Sequence, residues 1–155
     1  MRQREACPAT RPARKPPLWR CPRCGHRFVT RDQWHSCGRY RLADHFRGKD
    51  PAVRRVLDRL VALARDCGPV TAYAQKIRIV IQARARFAGG VARKRWFVAG
   101  LWLRRRAMHP TLCRVEDLGP LGLVHHFRVS TPAQFDTAFA RLVREAYRVG
   151  CQERP

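Results

Sequence analysis

The stretch Lys76-Ile77-Arg78-Ile79-Val80-Ile81-Gln82-Ala83-Arg84-Ala85-Arg86-Phe87 decides the fold class. Ile77, Ile79, Ile81, Ala83, Ala85 and Phe87 fall on odd positions, and Lys76, Arg78, Gln82, Arg84 and Arg86 on even ones. Successive side chains of a strand point to opposite faces, so this period of two predicts one long half-buried β-strand, with an apolar face on a core and a basic face outward. Gly89-Gly90 reads as the turn that ends it. Residues 95–104 follow as a second, more buried strand, and Pro110 marks a further turn. Residues 112–117 and 121–129 give two more candidate strands, split by Gly119-Pro120.

Helices bracket this strand-rich stretch. Asp50 suits an N-cap and Pro51 the first helical position. Val53, Val56, Leu57, Leu60, Val61 and Ala64 then recur at helical spacing until Gly68-Pro69 stops the run. A second helix is expected from Thr131, with Pro132 at its first position and Gln134 completing a capping box. Phe135, Phe139, Leu142, Val143 and Ala146 form its stripe, and Gly150 its end. Short connections between strands imply antiparallel hairpins. The expectation is therefore an α+β domain over residues 39–150, an antiparallel sheet of about four strands with two main helices packed on it.

Ahead of that domain, Trp19-Arg20-Cys21-Pro22-Arg23-Cys24-Gly25-His26 and His35-Ser36-Cys37 form a zinc-knuckle-like module over residues 19–38. Two thiolates three positions apart in a tight turn reach one ion, and residues at i and i+2 of an extended segment face the same way. Cys21, Cys24, His35 and Cys37 thus make up the tetrahedral nitrogen and sulfur set that zinc prefers. His26 or Cys7 in place of His35 gives a competing set. Four local ligands close the shell, which points to a structural ion, with Phe28 and Trp34 expected as the module's small core. Residues 1–18 read as a flexible basic tail interrupted by four prolines.

The chain of 155 residues holds 33 Lys+Arg against 11 Asp+Glu, a formal net charge of +22. That excess makes a cationic partner a poor fit and a nucleic acid or another polyanion the leading one. The charge is uneven: residues 1–49 carry +10, residues 50–110 carry +11, and residues 111–155 only +1. Of the basic residues 29 are arginine, a bias that a GC-rich genome also produces. Ten basic residues and no acid lie between 76 and 106. Lys76, Arg78, Arg84 and Arg86, with Trp96 and Trp102 on the following strand, are the candidate nucleic-acid contacts, because single strands are held by phosphate neutralisation plus base stacking.

Catalytic signals are few. His125 and His126 point to opposite faces of the last strand, and His126 with Arg128 is the one pair suited to phosphate binding or acid–base work. Glu116 and Asp117 alternate faces, so no pair of carboxylates converges for a metal-dependent nuclease. The longest apolar run, Phe97 to Leu103, is far short of the ~20 residues a membrane span needs. No secretory signal is visible, and seven cysteines, an odd number, suit reduced thiols; a cytoplasmic location is expected.

These residues also carry a resemblance. Trp19-x-Cys21-Pro22-x-Cys24-Gly25-x-x-Phe28, Gln33-x-His35-Ser36-Cys37 and His45-Phe46-x-Gly48, with the later Gly68-Pro69-Val70, Arg86-Phe87-Ala88 and His125-His126-Phe127-Arg128, resemble the bacterial family called domain of unknown function 5655. The resemblance implies a compact α+β domain, often with such a cysteine-rich lead, and implies no activity.

Overall fold

The computed structural model describes residues 14–154. Residues 1–13 of the expected tail, Cys7 among them, lie outside the described residues. The order is β1 (Trp19–Arg20), β2 (Arg27–Phe28), a 3-10 turn (Leu42–Phe46), α1 (Pro51–Cys67), β3 (Thr71–Ala74), β4 (Ile79–Gln82), β5 (Arg86–Ala92), β6 (Phe97–Leu103), β7 (Leu112–Asp117), β8 (Leu123–Val129) and α2 (Thr137–Gly150). β1 and β2 pair as a small hairpin. The other strands form one antiparallel sheet in the order β3-β4-β5-β6-β8-β7.

The α+β class and the two helices stand, but the sheet is corrected from about four strands to six, with a separate two-stranded hairpin. The decisive stretch is not one strand. It breaks at Ala83–Ala85, where the amides of Arg84 and Ala85 both donate to the Gly150 carbonyl at the end of α2 (3.1 and 2.8 Å). A helix terminus leaves carbonyls unsatisfied, and this turn supplies their donors. Ile77, assigned to the core by the alternation, is 66% exposed in the turn before β4. β3 makes up the remaining strand.

Gly89-Gly90 does not turn the chain; it lies inside β5 with φ of 149° and 153°. A Cβ on Gly89 would stand 2.2 Å from the Ile79 carbonyl oxygen, and one on Gly90 2.1 Å from that of Val98. Two glycines therefore let β4 and β6 close on β5 from both sides.

α1 starts as expected, with the Asp50 carboxylate accepting from the Ala52 amide at 2.8 Å. The Thr131 capping box forms, but it closes a 3-10 turn over Pro132–Gln134. α2 begins five residues later, where Asp136 accepts from the Phe139 amide at 2.8 Å.

Both helices pack on one face of the sheet. Val53, Val56 and Leu60 of α1 and Phe139, Val143 and Ala146 of α2 meet Ile79, Ile81, Phe87, Phe97, Leu101 and Phe127 of the strands, all essentially inaccessible to water. This core takes no member from residues 19–38. The hairpin module instead lies on the opposite face of the sheet, over β3 and β4. Gln82 donates to the Arg27 carbonyl (2.7 Å), and the His26 ring stacks on Tyr73 with centroids 4.0 Å apart. Just before it, the Pro16 carbonyl accepts from Arg84 and Lys15 donates to the Cys151 carbonyl. Among the described residues, no helix is long and apolar enough to cross a membrane.

Candidate metal centre and sheet trough

The β1–β2 hairpin makes the first half of the metal site. Gly25, at φ 77°, bends the chain so that its amide donates to the Cys21 carbonyl and the Cys21 amide to the His26 carbonyl, both at 2.9 Å. The Cys24 and Arg23 amides in this turn point at the Cys21 sulfur. Led by the Cys24 amide, and against the effect of burial, they bring its thiol down to about 6. The second half is an extended return carrying His35 and Cys37. Its ring is positioned by Gln33, whose carbonyl lies 2.7 Å from His35 Nδ1, so that Nε2 faces the cysteines.

Cys21, Cys24, His35 and Cys37 bring one donor atom each to within 4.8 Å of all the others. With Zn–S about 2.3 Å and Zn–N about 2.0 Å, a regular tetrahedron spaces two sulfurs about 3.8 Å apart and a sulfur and nitrogen about 3.5 Å apart. Here Cys21 Sγ and Cys37 Sγ are 3.8 Å apart, and Cys24 Sγ and His35 Nε2 3.3 Å. The donor set and its spacing fit a tetrahedral ion. Cys37 is exposed as a residue, but its sulfur faces the other thiols; lost hydration first, and then hydrogen bonds with Cys21 and Cys24, push it up to about 11.

His26 stands apart from this cluster. Its ring lies on Tyr73, its Nδ1 is buried without a hydrogen-bond partner, and burial is the first cause that lowers its pKa, ahead of the charge of His35. Phe28 does form the module's small core, 7% exposed and with its ring 4.3 Å from that of His35. The second aromatic there is Trp19, 5.9 Å from Phe28. The expectation for Trp34 is corrected: it is 90% exposed, because it directly precedes His35 and the ligand takes the inward position.

The module covers only the β3–β4 part of the outer sheet face. Beyond it runs an open trough of about 600 Å³ across β4, β5, β6, β8 and β7. Its floor is made of small residues, including Ala88, Gly90, Val98 and Gly100. Arg78, Arg86 and Arg93 stand along it on one side, and Trp102, Arg114 and His126 on the other. Among the described residues, none of Arg78, Arg86 and Arg93 makes an ion pair, whereas Arg114 is 3.3 Å from Glu116.

The candidate contacts of the strand region therefore divide. Arg78, Arg86 and Trp102 share the trough, with the Trp102 indole donating to the Leu121 carbonyl at 2.6 Å. Arg84 does not: it bonds Gln152 and Pro16 at the far turn. Lys76 lies in a second basin with Tyr40, Arg41 and Lys49. Trp96 sits beneath the Arg128 guanidinium, 3.9 Å from its ring centre. Arg93 and Arg114, which line the trough, were given no site role by the sequence pattern. The first falls in a turn, and the second is brought across from β7 by its pairing with β8.

The two candidate catalytic residues, His126 and Arg128, have different neighbours. Arg128 is engaged by Trp96, while His126 Nε2 lies 3.3 Å from Glu116 Oε2 and 3.2 Å from Arg114 Nη2. His125 is fully buried on the other face, its Nε2 accepting from the Ala107 amide at 3.0 Å. Burial is the main cause that lowers its pKa.

No curated protein and no solved structure matches the chain. One family description, "Domain of unknown function (DUF5655)", matches residues 42–150. That span begins at the 3-10 turn and ends with α2, so it takes in the whole six-stranded sheet and both helices, while the Cys/His module precedes it. With well over half its length matched, the chain belongs to the DUF5655 family.

Proposed function

We propose that this protein is a non-enzymatic, zinc-stabilised binding module whose ligand is a single-stranded nucleic acid laid on the open sheet trough. The observation that carries the reading is the row of Arg78, Arg86 and Arg93, three arginines along one concave face with no carboxylate partner among the described residues. Unpaired guanidinium groups over a floor of small side chains suit a phosphate backbone. The Trp102 ring at the opposite wall supports stacking of a base. Zinc on Cys21, Cys24, His35 and Cys37 acts structurally: with four protein ligands it keeps no open position, and its work is to hold the module against β3 and β4.

Titration of a labelled oligothymidylate at rising salt tests the ligand. Three phosphate contacts on a single strand predict a log–log slope of about −2, and Arg78→Gln with Arg86→Gln is expected to bring it close to −0.7. Binding that ignores salt, or that the double variant leaves unchanged, refutes the proposal. Elemental analysis of the purified protein tests the metal: one equivalent of zinc is expected, and a Cys24→Ser variant that keeps the full equivalent would refute the ligand set.

A further inference from the structure

The trough does not close at Arg93. Val91 and Arg93 line it on one side and line a second basin of about 560 Å³ on the other. This basin lies where the 3-10 turn meets the ends of β4 and β5, and it too is basic. Arg41, Lys49 and Lys76 face it, and its one carboxylate, Asp44, is already held by Arg47 at 2.7 Å. Tyr40, 39% exposed, forms part of its wall. Lys49 is half-buried and donates to the Ala92 carbonyl at 2.6 Å. Burial, and then the nearby charge of Arg93, lower its pKa, so positive charge crowds at the junction of the two basins.

We infer that the two basins form one continuous track, and that a single nucleic-acid strand leaves the trough over Arg93 and ends in the basin of Arg41, Lys49 and Lys76. The inference rests on the trough being a nucleic-acid site and adds its extent and direction. A compact phosphorylated ligand would need only one of the basins. Two basins sharing an arginine wall, each with unpaired cations, match a polymer that repeats its charge. Tyr40 offers the outer end a ring on which a base can stack, as Trp102 does within the trough.

The two parts of the track are separable by oligonucleotide length. An oligothymidylate of about 4 nucleotides fits the trough alone, and one of about 12 nucleotides reaches both basins, both lengths within the usual range for one small binding domain. At about −0.7 per phosphate contact, three cations predict a slope near −2 for the short oligonucleotide and six predict one near −4 for the long. An Arg41→Gln, Lys76→Gln double variant, both exposed positions, is expected to lower the long-oligonucleotide slope by about 1.4 and to leave the short one unchanged. Equal slopes for both lengths in the native chain, or no effect of the double variant on the long oligonucleotide, would overturn the track while leaving the trough site intact. Absence of binding by both lengths would overturn the trough reading itself. Polyglutamate competing as well as the long oligonucleotide at equal charge would replace nucleic acid by an acidic polypeptide and overturn the inference.

Discussion

Chelating the metal is expected to unfold the module while the α+β domain keeps its cooperative melt. The main core draws no side chain from residues 19–38, so the domain does not need the module to close its interior. What the domain loses can be read from the contacts between them. The hydrogen bond from Gln82 to the Arg27 carbonyl is worth roughly 1 kcal/mol net. The His26–Tyr73 stack adds roughly 0.5–1.5 kcal/mol. Together these give roughly 2 kcal/mol, which for a domain of this size lowers Tm by roughly 5–10 °C. The module itself rests on two paired residues per strand and the Phe28–Trp19 contact, and a structural zinc ion bound to its four donors would add coupled folding free energy of roughly 10–16 kcal/mol. Calorimetry with and without a chelator reads the domain, and amide exchange at residues 19–38 reads the module. If chelation abolishes the domain transition, the two units share one core and the reasoning fails. If neither signal responds, the cluster holds no metal.

Gly90→Ala should cost roughly 3 kcal/mol or more in urea denaturation, because its Cβ would sit 2.1 Å from the Val98 carbonyl and backbone cannot swing aside; a loss under about 0.5 kcal/mol would contradict the close approach of β5 and β6. His125 takes up a proton less readily in the folded chain than in the unfolded one, whose value is 6.5. Its contribution is therefore complete above that pH and is lost as pH falls below it, and a His125→Leu variant should show a flatter stability profile as the pH falls below 6.5. Asp136→Ala should cost about 1 kcal/mol by removing the α2 cap, measured by thermal melting, with no loss if the Thr131 box is the working cap instead. Trp34→Ala should change stability by under about 0.5 kcal/mol, since the ring is 90% exposed; a larger loss would place it in the module's core.

What the chain disclosed by itself was chiefly local. The α1 boundaries follow from Asp50, Pro51 and Gly68, residues whose effect depends on neighbours a turn away. The convergence of Cys21, Cys24, His35 and Cys37 follows from two short spacings on a hairpin. What stayed hidden depended on distant partners. The break at Ala83–Ala85 is set by the Gly150 carbonyl, more than sixty residues on, and nothing in the alternation from Lys76 to Phe87 announces it. The same alternation implies a wet outer face for β4, yet Val80 and Gln82 are buried there too. Gly89-Gly90 has the composition of a turn, and the close approach of β4 and β6 is what makes it the middle of a strand. The trough was half visible: Arg78, Arg86 and Trp102 follow from strand parity, whereas Arg114 comes from β7, the edge strand that pairs with β8 rather than with its sequence neighbour β6.

That strand order also bears on what the two edges of the sheet offer to another chain. A sheet left open at both sides offers unpaired amides and carbonyls to any extended chain nearby. At one margin Tyr40 bridges Ala74 on the outer strand β3 and occupies part of that ladder. At the other, β7 carries Arg114, Glu116 and Asp117 within six residues, and charged side chains on an edge strand blunt its pairing with a further chain. The charged strand that supplies a wall of the trough thus also discourages the sheet from growing by one more chain.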